Sequence, residues 1–477
     1  MTIETDIAII GGGISGLTAS YTAIQMGHSF QLFEASTSLG GYLQSDRTDG
    51  FLTEWGATTF PGSAADLLSL CEKLSLKPLE TSPKAKKRFI VLNQQLNALP
   101  MSPLEAITTP VLTTAEKLRV LQEPFIGKTK ANDLSLKDFF TRRLGAGVCN
   151  NLLDPFVGGI YAGDIDKLST PAVFPKLWQW EQSKGSIIKG AVLAQKNRWE
   201  KNVPTKSELA SLGKAKNTKN TRKGMRLFSF EQGMHALPQA LSKALPEESL
   251  HLNAPVEEIQ IQGRHVLVSA KNQTPVKAKA VILATPAYVS AALMASVSQE
   301  ASQLLKEIEY NALTLVHLGF DADAIQHPLD GFGALIPQKE KMLLLGSIFA
   351  SSLFVNRAPN NKILLSNFLG GAHHPEIIAL PDEAVVEKAL ENLATILKPQ
   401  KPLTPVFQSV LRYNKAIPQY TLGHCQRIEA IKDQLNALPL SRFFLCGNYL
   451  DSIALNGCVQ SAQTAATQAS NALANDL

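Results

Sequence analysis

Short apolar runs and stretches of helical spacing alternate along the first third of this chain. Asp6 to Ile10 reads as a buried strand, Ser15 to Met26 as a helix with apolar residues three and four apart, and Ser29 to Glu34 as a second strand. The expectation is a βαβ unit. Helical spacing resumes over Ala64 to Leu74, and Phe89 to Leu99 alternates about Asn93–Gln94 as a hairpin does. From Leu104 to Trp180 Leu, Phe and Ala recur at helical spacing, whereas Gln195 to Lys223, rich in Lys, Asn, Ser and Thr, reads as a linker or loop. Strands are expected at Val256 to Ile261, His265 to Ser269 and Ala280 to Ala284, and then at Leu313 to Phe320, Gly333 to Pro337, Leu343 to Phe349 and Ile363 to Leu369. A helix over Asp382 to Leu397, a strand over Phe443 to Cys446 and a helix over Cys458 to Leu473 follow, with no internal repeat.

A length of 477 residues predicts two or three domains, and 45% hydrophobic with 18% charged residues suits a globular enzyme rather than a disordered chain. The five cysteines, Cys71, Cys149, Cys425, Cys446 and Cys458, form no CxxC pair, which argues against a disulfide framework or a zinc site and for a reducing, cytoplasmic setting. The first apolar run leads straight into glycines, unlike a signal peptide. The longest uncharged stretch, Ala280 to Gln299, could in length span a bilayer, but Pro286 and its AVILATP half read as a strand and a turn. Charge is uneven: Lys184 to Arg226 carries 12 Lys+Arg against two acids, and the rest of the chain is net acidic.

Gly11-Gly12-Gly13-Ile14-Ser15-Gly16 fits G-x-G-x-x-G between a strand and a helix. Gly11 serves the tight turn, Gly13 the approach of backbone to a pyrophosphate, and Gly16 the packing of helix on strand. The helix then offers amides and the positive end of its dipole to phosphate. Glu34, 18 residues after Gly16, is placed to accept hydrogen bonds from ribose hydroxyls. A dinucleotide site is the reading; a glycine-rich turn with an incidental Glu34 is the plain alternative.

After Glu34 come Leu39-Gly40-Gly41, Gly50-Phe51 and Glu54-Trp55-Gly56-Ala57. An acid followed within about eight residues by a Gly-Gly pair resembles the amine-oxidase-like flavoproteins, from Ile7 to Thr59, and implies FAD rather than NAD. Four further stretches resemble the protoporphyrinogen oxidase family within that superfamily. They are Asp154-Pro155-Phe156-Val157-Gly158-Gly159-Ile160-Tyr161-Ala162-Gly163-Asp164, Leu329 to Pro337, Ala416-Ile417-Pro418-Gln419-Tyr420 with Gly423-His424, and Gly447-Asn448-Tyr449 with Ala454-Leu455 and Cys458.

The resemblance implies an α/β fold with a discontinuous Rossmann-like FAD-binding domain (1–80, 225–285 and 436–477). A mixed-sheet substrate domain (81–110 and 286–435) and an inserted helical domain (111–224) complete it. It assigns Gly11, Gly12, Gly13, Ile14, Ser15, Gly16, Glu34, Tyr42 (often Trp in the family), Gly56, Ala57, Thr58, Thr59, Val256, Asn448, Ile453, Ala454 and Leu455 to FAD. Arg88 is to hold a propionate of a porphyrinogen, Leu335 and Phe349 to sandwich the macrocycle, and Gly159 to lie against it. The plain alternatives are a surface arginine beside Lys84, Lys86 and Lys87, and ordinary strand core for Leu335 and Phe349. Trp55, His235, His317 and His424 read as structural, and His373–His374 lacks further ligands, so no metal is expected.

The implied reaction is hydride transfer from bridging methylenes to flavin N5 in three two-electron steps, with O2 reoxidising FAD to give H2O2 and protoporphyrinogen IX as substrate. Coproporphyrinogen III, with more carboxylates, is the near rival; an amine oxidase and a non-catalytic porphyrin-binding flavoprotein are further ones. The helices after Leu104 and the basic segment 184–226 resemble the family's membrane-facing region, so peripheral attachment to the inner face of a membrane and a solvated loop both stand. A chelatase partner and a homodimer are compatible with the family; no nucleic-acid partner is expected.

Overall fold

Strand Ile3–Ile10 pairs in parallel with both Phe30–Phe33 and Val276–Leu283, and Ile7, Ala8, Ile9 and Ile10 are all buried. A strand covered on both faces needs such an unbroken apolar run. This sheet, in a computed structural model that describes residues 2–100, 105, 108–201 and 226–474 without the side chains of 197–201, draws on distant parts of the chain. Leu250–His251 adds outside Phe30–Phe33, and Phe443–Leu445 lies parallel to Val276–Leu283. His265–Ala270 and Val256–Gln262 complete it as an antiparallel pair of strands.

Helices Ile14–Gln25 and Leu455–Ala474 bury their small and aliphatic residues on one face of this sheet. Ala287–Met294, Gln299–Lys306 and His424–Asn436 cover the other. The segment around 287–306 and the helix at 424–436 were expected with the substrate domain; their apolar faces pack here instead. The uncharged stretch after Ala280 is the buried end of a strand followed by the short helix Ala287–Met294, and among the described residues no helix is long and apolar enough to cross a membrane.

A second seven-stranded sheet has the order 407–418, 310–321, 362–370, 344–348, 331–335, 87–92 and 95–98, antiparallel except where Gly331–Leu335 meets Lys87–Leu92. Asn93 and Gln94 both adopt positive φ, 53° and 57°, as a type I′ hairpin requires, and the Glu340 carboxylate accepts both their amides at 3.0 Å. Helix Asp382–Leu397 seals one face through Val385, Ala389, Leu393 and Ile396 against Val316, Leu318 and Leu365. The other face looks towards the first sheet and the helices.

Among those helices is Thr114–Leu121, for which the side chains of Thr113 and Glu116 form a capping box. At their centre Arg143 is fully buried between two fully buried acids, 2.6 Å from Glu181 and 3.3 Å from Glu123. Glu123 also accepts the Ile187 amide at 2.9 Å and the Ile188 amide at 3.2 Å, so this ion cluster starts helix Ile187–Lys201. Most of the 195–223 linker and of the basic segment 184–226 lies outside the described residues.

The two sheets meet at Glu54, which ends strand Phe51–Glu54. Its carboxyl faces Ser45 Oγ, the Met234 amide at 3.1 Å and Arg357 Nη2 at 3.4 Å, with Arg47 near Arg357. Burial raises its pKa to about 7, against the pull of Ser45 and Arg357. A carboxyl that holds its proton better folded than unfolded adds stability that is complete below about pH 4 and is lost as pH rises through about 7. Thermal melts of the wild type should therefore drop between pH 5 and pH 8 by more than those of Glu54→Gln. Parallel profiles for the two proteins would remove this role.

Candidate functional site

The carboxyl ends of the parallel strands open onto a crevice, the usual ligand position in an open α/β sheet. Gly11 leaves strand Ile3–Ile10 at φ 104°, and a Cβ on it would meet the Ala284 carbonyl at 2.9 Å. A Cβ on Gly16 would lie 1.8 Å from the Gly11 carbonyl oxygen, so only glycine lets the helix rest here. Gly13 is different. It is the N-cap, no side chain caps the helix, no acid stands in its first turn, and a Cβ on Gly13 would point into open space. The amides at Ile14, Ser15 and Gly16 thus form an uncapped, positive helix end with room in front of it.

Glu34 closes one side. Its carboxylate accepts the Gly12 amide at 2.6 Å and, on its other oxygen, the Ser36 amide at 2.8 Å. The Gly40 amide donates to the Gly12 carbonyl at 2.8 Å, which clips the Gly40–Gly41 turn beside the glycine loop. Tyr42 follows, 45% exposed, and a Cβ on Gly56 would meet its carbonyl oxygen at 2.7 Å, so Gly56 lies against it; Thr58, two residues on, lines a small cavity with Glu54, Ile348 and Arg357 instead. The Ala254 amide bonds the Glu34 carbonyl at 2.9 Å, which brings Val256 to the same side. Tyr420, stacked on His424 at 4.2 Å, donates to the Asn448 carbonyl at 2.5 Å. Ile453, Ala454 and Leu455 lead into helix Leu455–Ala474, whose first turn stands beside Ser15 through the Cys458 carbonyl.

The second sheet faces this crevice with one row of laterally paired residues: Leu315, Phe368, Gly346, Leu335 and Ile90. Side chains paired in this way share a face. Arg88, two residues from Ile90, is on that face too, half-buried, with its guanidinium 5.8 Å from the centre of the Phe332 ring. Among the described residues no carboxylate pairs with it, and burial lowers its pKa from the ordinary arginine range. Helix Asp154–Tyr161 crosses over the row. Its end is tied to the sheet by the Ala162 carbonyl, which accepts the Ala372 amide and Asn311 Nδ2, both at 2.8 Å. This docking presses Gly159 onto Leu335, where a Cβ would come within 2.3 Å of Leu335 Cδ2, and leaves Phe156 and Ile160 beside it exposed.

Phe349 departs from the expected sandwich. Gly333 pairs with Ile348, which puts Ile348 on the face of Leu335 and Phe349 on the opposite one. There it is 1% exposed, packed near Phe89 and His327. Its surroundings are strand core. The aromatic ring on Leu335's face is that of Phe368, half-buried next to Gly346, and strand alternation from Ile363 onward was the signal that could have found it. His317, bonded to Ser366 Oγ and the Glu54 carbonyl, and His424, bonded to the Leu450 carbonyl, are buried, and burial depresses both pKa values to about 4. Both are neutral structural groups at neutral pH.

The model of the flavin-containing amine oxidoreductases matches residues 14–470. The chain belongs to that family. Among curated relatives, protoporphyrinogen oxidase 2 of Arabidopsis thaliana is 32% identical, over 96% of this chain and 92% of its own length. Coproporphyrinogen III oxidase of Bacillus subtilis is 26% identical, over 97% of both chains. Two solved structures share the fold: a provisionally named protoporphyrinogen oxidase from Exiguobacterium sp. 255-15 (TM-score 0.80, 24% identity, 99% of both chains) and a putrescine oxidase variant (TM-score 0.71, 17% identity, 98% of this chain and 99% of that one).

As a flavin-containing amine oxidoreductase the protein uses FAD, and the crevice fits it. The open space before Gly13 and the uncapped amides after it suit a pyrophosphate, and Glu34 stands beside them for a ribose. Two variants separate fold from cofactor. Gly13→Ala should leave the melting temperature of the FAD-free protein unchanged while weakening FAD at least about tenfold, because its methyl projects where a pyrophosphate must approach. Gly16→Ala should lower the melting temperature of the FAD-free protein as well. Tight FAD binding by Gly13→Ala, measured by flavin fluorescence titration, would move the cofactor elsewhere.

Proposed function

We propose that this flavoprotein oxidises protoporphyrinogen IX to protoporphyrin IX, a step of haem and chlorophyll synthesis. The observation that carries the reading is the apolar row Leu335, Gly346 and Phe368 with Gly159 against it, and at its edge a half-buried Arg88 that pairs with no carboxylate among the described residues. The substrate is a flat apolar disc with two carboxylates on one side. Such a molecule needs apolar faces, a gap without side chains, and a fixed cation with a fork for a carboxylate.

Bound FAD would supply the hydride acceptor, with O2 as the terminal oxidant and H2O2 as its product. The protein's residues do the rest by placement. Arg88 sets the edge and hence the depth of the disc, Leu335 and Phe368 hold its face, and helix Asp154–Tyr161 keeps water from it. Proton losses accompany tautomerisation towards the aromatic product. Residues 11–16, 34, 42, 56–59, 256, 448 and 453–455 are proposed to hold FAD.

Anaerobic mixing with protoporphyrinogen IX should bleach the flavin rapidly. In Arg88→Ala the substrate concentration for half-maximal bleaching should rise about 10- to 100-fold, as loss of a charge-assisted hydrogen bond implies, with the limiting rate much less affected. Coproporphyrinogen III is the second reading, favoured by the Bacillus subtilis relative; its additional carboxylates would call for cations beyond Arg88. Faster bleaching with coproporphyrinogen III would adopt it, and silence with both would end the porphyrinogen reading.

The helices support a further proposal, that the protein sits on an anionic membrane surface. Leu121 and Phe125 are 68% and 89% exposed, and Leu118, Val192 and Leu193 are exposed as well, the last two within the sequence segment 184–226 that is rich in Lys and Arg. Vesicles containing anionic lipid should sediment with the protein at low salt and less so at high salt, and Leu121→Asp with Phe125→Asp should abolish this. Equal sedimentation of the double variant would place the contact elsewhere.

A further inference from the structure

The strand Phe407–Pro418 is interrupted where it passes the crevice. Asn311 pairs with Ile417 and Leu313 with Tyr413, so Asn414, Lys415 and Ala416 stand opposite Ala312 alone. A bulge of this kind re-aims side chains. Here it sends Lys415 out of the second sheet, with its ammonium 4.2 Å from the centre of the Tyr288 ring. Tyr288 lies in helix Ala287–Met294, just beyond the carboxyl end of strand Val276–Leu283.

Further contacts bind the same two bodies. Tyr42 donates to the Lys415 carbonyl at 3.3 Å and meets the Tyr413 ring edge-on at 4.9 Å. Tyr413 donates to the Trp55 carbonyl at 2.7 Å, one residue before Gly56. Tyr310, also from the second sheet, accepts the Ala287 amide at 3.0 Å and stands edge-on to Tyr288 at 5.1 Å. The second sheet therefore brings Tyr310, Tyr413 and Lys415, and the first brings Tyr42, the Trp55 carbonyl and Tyr288. All of them meet where the Gly40–Gly41 turn, Gly56 and the end of a parallel strand converge. Core packing does not explain them: Tyr42 is 45% exposed and Lys415 is exposed.

We propose that the bulge at 414–416 makes a clasp, in which Tyr413 and Lys415 close on Tyr42, Trp55 and Tyr288 and retain FAD in its crevice. FAD leaves when the clasp opens. Tyr413 and Lys415 are positioning residues: they act by holding Tyr42 and the segment at Gly56. The inference rests on the cofactor and is independent of which porphyrinogen is oxidised.

The test uses FAD-loaded full-length protein, diluted, with release followed by the rise in flavin fluorescence. Tyr413→Phe keeps the ring and loses the bond to Trp55, and Lys415→Met keeps the length and loses the charge. Each should speed release about fivefold, the worth of one exposed hydrogen bond or cation–π contact, and the pair about 25-fold. Lys415→Arg preserves the cation over the ring and should stay within about twofold of wild type. The melting temperature of FAD-free protein should be the same in all four. Wild-type release rates in both single variants would overturn the proposal. Faster release with a matching drop in the FAD-free melting temperature would also overturn it, since general loosening would then account for the effect.

Discussion

A helix has to lie against the carboxyl ends of parallel strands with nothing between them, and the 1.8 Å that a Cβ on Gly16 would leave to the Gly11 carbonyl states that constraint most sharply. Once Ile14–Gln25 rests there, its uncapped amides face the crevice. Gly12 is then free to bond Glu34 through its amide and Gly40 through its carbonyl. The neighbouring segment at 253–254 is held in turn by backbone hydrogen bonds to Glu34 and Ser36, and helix Leu455–Ala474 meets Ser15 through the Cys458 carbonyl. A cofactor site built mainly from backbone tolerates many side chains around it, which suits a fold that solved proteins share with this chain at 14–24% identity.

The second constraint is the alternation of a strand. Leu335, Gly346 and Phe368 line up across three strands, and one residue's displacement puts Phe349 on the far side. The glycine in the middle of that row adds no side chain to the face, and the short helix above contributes a glycine of its own against Leu335. Apolar surface here is set apart by missing side chains rather than by hydrophobic ones alone.

How much of this could be read from the residues follows from the same physics. The glycine loop, Glu34 and the hairpin at Asn93–Gln94 were legible because local backbone geometry demands those residue types at those positions. The faces of Phe349 and Phe368 were not, because alternation within each strand tells which residues share a side, and only the pairing between strands tells which side Leu335 occupies. The edge strand Phe407–Pro418 escaped notice since Arg412, Asn414 and Lys415 break its alternation, as polar residues on an exposed edge do. Helix His424–Asn436 was hidden behind a motif read for its chemistry, and its apolar side turned out to cover the first sheet. The buried Arg143–Glu123–Glu181 cluster gave no sign, because a charged residue in a helix is read as solvent-facing until its partners from other helices are known.

The scattered origin of the first sheet sets the order of events during synthesis. Strand Ile3–Ile10 gains its neighbour Val276–Leu283 only after more than half the chain has emerged, and Phe443–Leu445 and helix Leu455–Ala474 come later still. At roughly 5–20 residues per second the glycine loop waits on the order of half a minute or more for the helix that completes its crevice. Until Val276–Leu283 emerges, the apolar strand has no lasting partner on that side, so the earlier part of that interval is the one in which shielding of the nascent chain matters most.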